Sequence, residues 1–360
     1  MNLVFVVPLE SREATIQARV VRGWCQRNGH QVVRVVGTRA DAANPSPRTF
    51  PGFDETGEVL PGLGPLTRID RHPSLWAWAI QCLRRRRSLS IALAALDRTV
   101  LGERADAIVS FMDPLAALHR RVGSSRIALL SIGHPLRLAH PDHPIDAVHA
   151  ASARMISGRA RWSSFGGLRY SLSLEPLRPL AEQGLLVGPP LVEGAASPTP
   201  AQTTDGGWVV QLARADQRPE VELWHQRHPE IPIDCFYDRS RSVGTEEVDG
   251  NLRFHPLDRD HLRQRMAVSR GIIVDAGFEA LAHAASFGKP VVHWLGRPHP
   301  ETLLLARDLE RLGLAKASRS FHPTIDGPSI PPGGERFREW LSRSDACLDT
   351  AFRALASHAR

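Results

Sequence analysis

Gly271-Ile-Ile-Val-Asp-Ala-Gly-Phe-Glu-Ala-Leu-Ala-His-Ala-Ala-Ser-Phe-Gly-Lys-Pro-Val-Val-His-Trp-Leu295 is the stretch on which the fold turns. The apolar run from Gly271 to Asp275 reads as a strand, Gly277 as a tight turn and Phe278 to Phe287 as a helix. Gly288 is a second turn, and Pro290 to Leu295 a second strand. This is a βαβ unit, which implies a parallel sheet. The helix opens directly after Gly277, so its first amides and positive dipole end suit a phosphate. Gly277 lets a diphosphate approach the backbone closely. An ordinary βαβ unit of any α/β protein shows the same pattern, so the spacing alone leaves both readings open.

The alternation continues outward on both sides. Downstream of residue 207, strands are expected at Trp208–Leu212, Ile233–Tyr237 and Leu252–His255, and helices at Glu220–Arg227, Asp258–Ser269 and Glu301–Leu312. One or two helices close the chain within Gly333–Ala359. Upstream, Asn2–Val7, Arg12–Arg27 and Gln31–Val36 read as strand, helix and strand. Residues 38–73 are rich in Pro, Gly, Asp and Thr and read as a long loop region with at most one short element. Then come a helix over Leu75–Leu101, a strand at Ala107–Phe111, a helix at Pro114–Val122, a strand at Ile127–Ile132, a helix at Pro144–Trp162, and late strands at Tyr170–Leu174 and Leu185–Val187. EGAASPTPAQTTDGG, residues 193–207, is a low-complexity linker. The expected organisation is an α/β protein of two Rossmann-like domains facing across a cleft. Residues 1–192 form the first domain, 208–340 the second and 341–360 a C-terminal helix.

Composition narrows the class. The chain has 360 residues, 42% hydrophobic and 23% charged, as in ordinary soluble globular proteins. Its 4 cysteines, at 25, 82, 235 and 347, show no paired spacing, which argues against a disulfide-stapled secreted module. The opening MNLVFVVPLESREA lacks a basic n-region and breaks at Pro8, unlike a signal peptide. No window offers 18 uninterrupted apolar residues. The expected location is therefore cytoplasmic. The net charge of +7 is carried almost wholly by arginine, since Lys289 and Lys316 are the only lysines. A GC-rich coding genome produces the same bias, and no recognisable nucleic-acid module is present.

At this point a resemblance appears. Asp275-Ala276-Gly277-Phe278, Gly288-Lys289-Pro290, Glu301, Ala306 and Leu312-Gly313 resemble the donor-binding segment of glycosyltransferases with the B-type two-Rossmann fold, GT-B. The pattern is most similar to the branch that includes the lipid-II-forming UDP-N-acetylglucosaminyltransferase. Gly250–Phe254, Ser110–Ala116 and Ser131–Pro135 resemble further segments of that branch. The resemblance implies sugar transfer from a nucleotide-diphosphate donor, with uridine as the base, inversion at the anomeric carbon and no metal. It implies acceptor binding by residues 1–192 and nucleotide-sugar binding by residues 208–340; the donor is a substrate, and no cofactor is expected. It also marks departures. The family's ribose-holding glutamate falls on His283, its Gln after Glu301 is Thr302, its Asn before Ala306 is Leu305, and its N-terminal histidine falls on or near Glu13.

Such a transfer needs a base for the acceptor hydroxyl and a stabilised diphosphate. Glu13, after the first strand, is the candidate base, with Glu10 as its alternative; a first-turn carboxylate that merely complements the helix dipole looks the same. His134, after a strand and before Pro135, is a candidate at the site mouth. The amides of Gly277 and Phe278, with Arg214, Glu279, His283, Arg297, His299 and Glu301, are the candidate donor contacts. His140, His143 and His149 lack metal-ligand spacing, and Asp258-Arg259-Asp260 is better read as a helix cap than as a metal motif. Trp76, Trp78 and Arg84 form an apolar–basic patch suited to peripheral membrane contact near a lipid-linked or small-molecule acceptor; a core-packed helix with a solvated basic end is the plainer reading. No Gly-x-Gly-x-x-Gly, Walker or Gly-x-Ser-x-Gly motif occurs, which argues against dinucleotide enzymes, ATPases and serine hydrolases. The departures keep three other functions open: non-glycosyl transfer on the same fold, a nucleotide-sugar epimerase, or a non-catalytic sugar-nucleotide binder.

Overall fold

In the computed structural model, Asn2–Pro8 forms strand β1, Arg12–Arg27 helix α1 and Gln31–Arg39 strand β2. The structure describes residues 1–40, 42, 46–49, 56–62, 84–123, 127–193, 206–238, 244–275, 277–296, 298–322 and 333–359. The chain divides into two compact units. One is Met1–Glu193 with Arg343–Arg360, and the other is Gly194–Ser342.

The first unit is built on an eight-stranded sheet. Its other strands are β3 (Ser46–Thr49), β4 (Thr56–Pro61), β5 (Ala107–Ser110), β6 (Ala128–Gly133), β7 (Leu168–Leu172) and β8 (Leu185–Gly188). The order is β3-β4-β2-β1-β5-β6-β7-β8, parallel throughout except for the β3–β4 pair. Apart from the β3 edge, the sheet runs outward in both directions from β1, as a Rossmann sheet does. Helices α2 (Arg86–Gly102), α3 (Pro114–Val122) and α4 (Ala150–Ser163) make crossovers. Val4 and Val6 of β1 pack with Leu89 and Leu96 of α2 and Leu115 of α3. Strand alternation sends Leu3, Phe5 and Val7 to the opposite face. Helix α1 starts where Ser11 Oγ accepts the Ala14 amide at 3.2 Å, and it buries Ala14, Ala18, Val21 and Trp24. Trp24 meets Phe352 of the final helix, α10 (Ser344–His358), at 4.8 Å between ring centres.

The second unit carries β9 (Trp208–Leu212), β10 (Ile233–Tyr237), β11 (Glu246–Glu247), β12 (Leu252–Pro256), β13 (Gly271–Asp275), β14 (Val291–Trp294) and β15 (Lys316–Ser318). Its order is β11-β12-β10-β9-β13-β14-β15, and only the β11 edge is antiparallel. The six parallel strands run 3-2-1-4-5-6, the dinucleotide-fold order. Helices α5 (Arg218–His225), α6 (Arg259–Val268), α7 (Phe278–Ser286), α8 (Pro300–Arg311) and α9 (Gly334–Ser342) accompany them. Asp258 caps α6, its Oδ1 accepting the His261 amide at 3.0 Å, as the capping reading expects. Gly288 sits at φ +64°, a left-handed conformation that closes the end of α7 and that side-chain-bearing residues rarely adopt. Beneath α6, Asp234 on β10 accepts from His255 Nε2 at 2.8 Å and from Arg265 Nε at 2.9 Å. Burial pushes the Asp234 carboxyl up, but the His255 and Arg265 bonds outweigh it and hold the group below its usual range.

Several elements differ from expectation. The 38–73 region contributes both β3 and β4, and β4 pairs with β2 over Val36–Arg39. Its Thr-Gly-Glu-Val-Leu-Pro sequence is too short to show a period, and burial of Val59 and Leu60 in the core secures it. The helix expected from Pro144 starts only at Ala150, because Asp146 Oδ1 takes the His149 amide at 2.9 Å. His134–Ala139 forms a 3-10 turn, and β11 and β15 are additional edge strands.

Candidate active site

The first unit brings Glu13 and His134 together. β1 and β6 flank β5 in the sheet, so the segments leaving their carboxyl ends meet above it. This is beside the point where the strand order reverses, where ligands bind in open α/β sheets. Glu13 lies in the first turn of α1, and His134 opens the 3-10 turn after β6. His134 Nδ1 stands 2.6 Å from Glu13 Oε1 across 121 residues of sequence. Gln17 Nε2, one turn along α1, donates to the same oxygen at 2.8 Å. The proton shared with the carboxylate belongs on Nδ1, which makes Nε2 the ring's acceptor atom. The His134 carbonyl accepts from Arg137 Nη1 at 3.0 Å, and Arg137 is itself buried.

A cleft beside the pair is lined by Pro8, Ser11, Gln17, Met112 and Gly133 as well as by the pair itself. Met112 holds φ +60°, a strained conformation for a residue with a side chain, of the sort that collects at functional sites. A side chain at Gly133 has no room, because a Cβ there would lie 2.2 Å from Met112 Cγ. Glu10 faces elsewhere; its Oε1 accepts the Ala40 amide at 2.8 Å.

Asp113 follows Met112 and stands at the start of α3. It caps α3 by accepting the Leu115 amide at 2.7 Å and accepts from the Thr38 hydroxyl. Burial pushes its carboxyl up to about 6; the Thr38 and Leu115 bonds oppose the rise and Glu10 adds to it. Folding therefore takes up a proton here between the ordinary carboxylate range and about pH 6. Stability from this group falls as pH rises through that window and is level above it. Asn caps a helix as well as Asp. Asp113→Asn should therefore gain on the wild type between pH 4 and pH 7 by on the order of 3 kcal/mol. Urea melts at both pH values check this, and parallel pH curves for the two proteins would remove the account.

In the second unit, Arg214, Gly277 and His299 all follow the carboxyl ends of neighbouring strands, β9, β13 and β14. Gly277 is the N-cap residue of α7 and brings no side chain to cap it. The Phe278 side chain is buried in the core, so its backbone amide is what it can offer a ligand. Glu279 and His283 are half-buried on α7, with the His283 ring 5.3 Å from Phe287. His299 is exposed and precedes α8, while Glu301 in that helix's first turn is buried. Arg214 Nε pairs with Asp216 at 3.0 Å. Its backbone amide donates to Gln217 Oε1 at 3.2 Å, and Gln217 Nε2 donates to Asp275. Burial raises the Asp275 carboxyl above its usual range, against the Gln217 bond and the Arg214 charge. Sequence reasoning missed this Gln217–Asp275 link. Arg297 lies outside the described residues, as do Trp76 and Trp78, whereas Arg84 is described and exposed.

His140 and His149 each hold a partner of their own. His140 Nε2 donates to the Arg178 carbonyl at 2.7 Å, and His149 Nδ1 meets Asp146 at 2.7 Å. Among the described residues no group of three or more His, Cys, Asp or Glu side chains is placed to hold a metal, and no helix is long and apolar enough to cross a membrane.

No protein-family model matches the sequence, and no curated protein matches it either. Solved structures do match over the whole chain. The glycosyltransferase SnogD from Streptomyces nogalater aligns at 14% identity and a TM-score of 0.59, covering 100% of this chain and 99% of its own. The spinosyn rhamnosyltransferase SpnG complexed with thymidine diphosphate aligns at 13% identity and 0.55, covering 99% and 96%. The kitacinnamycin glycotransferase aligns at 15% identity and 0.54, covering 99% and 95%. The fold is GT-B. Within a GT-B chain, the Glu13–His134 pair belongs to the N-terminal Rossmann unit, and Arg214, Gly277 and His299 to the C-terminal one.

Proposed function

We propose that this GT-B protein transfers a glycosyl group from a nucleoside-diphosphate sugar to an acceptor hydroxyl. The observation that carries the reading is the 2.6 Å contact between His134 Nδ1 and Glu13 Oε1. It supplies a general base with an orienting carboxylate beside the switch point of a sheet shared with glycosyltransferases. In the proposed step, His134 Nε2 takes the acceptor proton while Glu13 holds the ring and offsets the imidazolium charge. The acceptor oxygen attacks the anomeric carbon and the bond to the diphosphate breaks, with inversion. The α7 amides, Arg214 and His299 stabilise the departing diphosphate without calling on a metal.

The resemblance to the lipid-II branch favours a uridine donor, and SpnG was solved with thymidine diphosphate. A pyrimidine diphosphate is the shared element. A lipid-linked acceptor would bring the Trp76–Arg84 segment to a membrane face in the cytoplasm.

The test is a thermal-shift screen against uridine, thymidine, cytidine and guanosine diphosphates and their sugars, followed by turnover with the best donor. Ligand at a hundred times its Kd should stabilise the native state by about 2.7 kcal/mol. A selective rise with a uridine or thymidine diphosphate is expected. Flat melting curves across every series would sink the donor assignment.

A further inference from the structure

We infer that Gln17 is a positioning residue for the Glu13–His134 pair, an inference that rests on the proposed sugar transfer. Gln17 lies on the buried side of α1 with Ala14, Ala18 and Val21, and it is only 4% exposed. An apolar residue would suit that face, since a carboxamide taken out of water needs a partner. Its Nε2 donates at 2.8 Å to Glu13 Oε1, the oxygen that also meets His134 Nδ1.

That convergence has a mechanical consequence. A first-turn glutamate on its own can rotate about its terminal bond, exchange its oxygens or turn toward water. A donor from the next turn of the same helix fixes which oxygen faces the imidazole. One oxygen held by two N–H groups stays an acceptor, so the ring proton stays on Nδ1 and Nε2 is the ring's acceptor atom. Arg137 holds the opposite end of the histidine by its carbonyl. The ring is thus anchored at its side chain through α1 and at its backbone through the 3-10 turn. Gln17 touches no reacting atom in this scheme and acts through Glu13.

The experiment compares the wild-type protein with Gln17→Met, which keeps the side-chain length and removes the donor. With the donor identified by the screen, kcat should fall about tenfold and KM stay within twofold, as for loss of one orienting hydrogen bond. Ring-nitrogen NMR of His134 supplies a readout independent of turnover. The wild type should show the Nδ1–H tautomer, and Gln17→Met a mixture with a displaced titration midpoint. If the Met variant does not fold, Gln17→Glu serves, since an acceptor facing Glu13 should disturb the same spectrum more strongly. An active wild type with kcat and the His134 spectrum both unmoved by substitution overturns the positioning role and leaves sugar transfer standing. A wild type inactive with every donor, whose His134 spectrum still responds to Gln17→Met, overturns sugar transfer and leaves the positioning role standing.

Discussion

His134→Ala should lower kcat by roughly 10²–10⁴-fold, the range that a positioned general base supplies. In the proposed step the imidazole acts on the proton that moves in the transition state and not on donor binding, so the loss falls on kcat. Glu13→Gln is expected to lie in the same direction and to be smaller. The amide fills the space and its oxygen can still accept the Nδ1–H, but it cannot offset the imidazolium charge. The two losses should not add, since both act through one imidazole. The His134 side chain is only 9% exposed and that of Glu13 23%, so stability has to be followed beside turnover. The check is steady-state kinetics of the two single variants and the double variant, with melting curves as a control. Turnover within threefold of wild type in His134→Ala would remove the imidazole from the mechanism.

Asp234→Ala should lower stability by about 3 kcal/mol. The carboxylate ties β10 to β12 through His255 and to α6 through Arg265. Its removal leaves His255, buried, without the acceptor for Nε2. The Arg265 side chain is 37% exposed, so water recovers part of its loss and keeps the effect below the upper end for buried pairs. The pH dependence has the opposite sign to that of Asp113. Asp234 is held below its usual range, so its contribution is complete at neutral pH and disappears as pH falls below about 3.8 toward the folded value. Chemical denaturation at pH 7 measures the effect. A change under 0.5 kcal/mol would show that the network contributes little, and the Asp234→Ala, Arg265→Ala cycle would isolate the Arg265 share.

Much of the fold was legible because strands and helices are written in local periodicity. Arg12–Arg27, Pro114–Val122, Trp208–Leu212, Ile233–Tyr237 and Gly271–Asp275 match the expected elements residue for residue. These are β-branched runs and apolar helical stripes bounded by Gly, Pro or a capping residue. Where such marks are absent, the reading failed. β4 has six residues and a Pro at its end, and β11 only two. Nothing in their sequence separates them from loop, and pairing with β2 and β12 makes them strands. The Met112 conformation has no sequence signal at all, since a φ angle at an ordinary residue is set by the turn around it. Gln17 left one trace, a carboxamide four residues after Glu13 on an otherwise apolar helix face.

The two α/β units, the βαβ element at Gly271–Leu295 and the candidacy of Glu13 and of His134 are each written in local residues. That those two residues meet is a property of the assembled sheet. The resemblance placed a histidine near position 13; the chain carries a carboxylate there and delivers the imidazole from the end of β6. Hydrophobic period and capping act over a few residues. A contact across 121 residues depends instead on β5 being laid between β1 and β6, an order set by right-handed crossovers and by how the helices pack on the finished sheet.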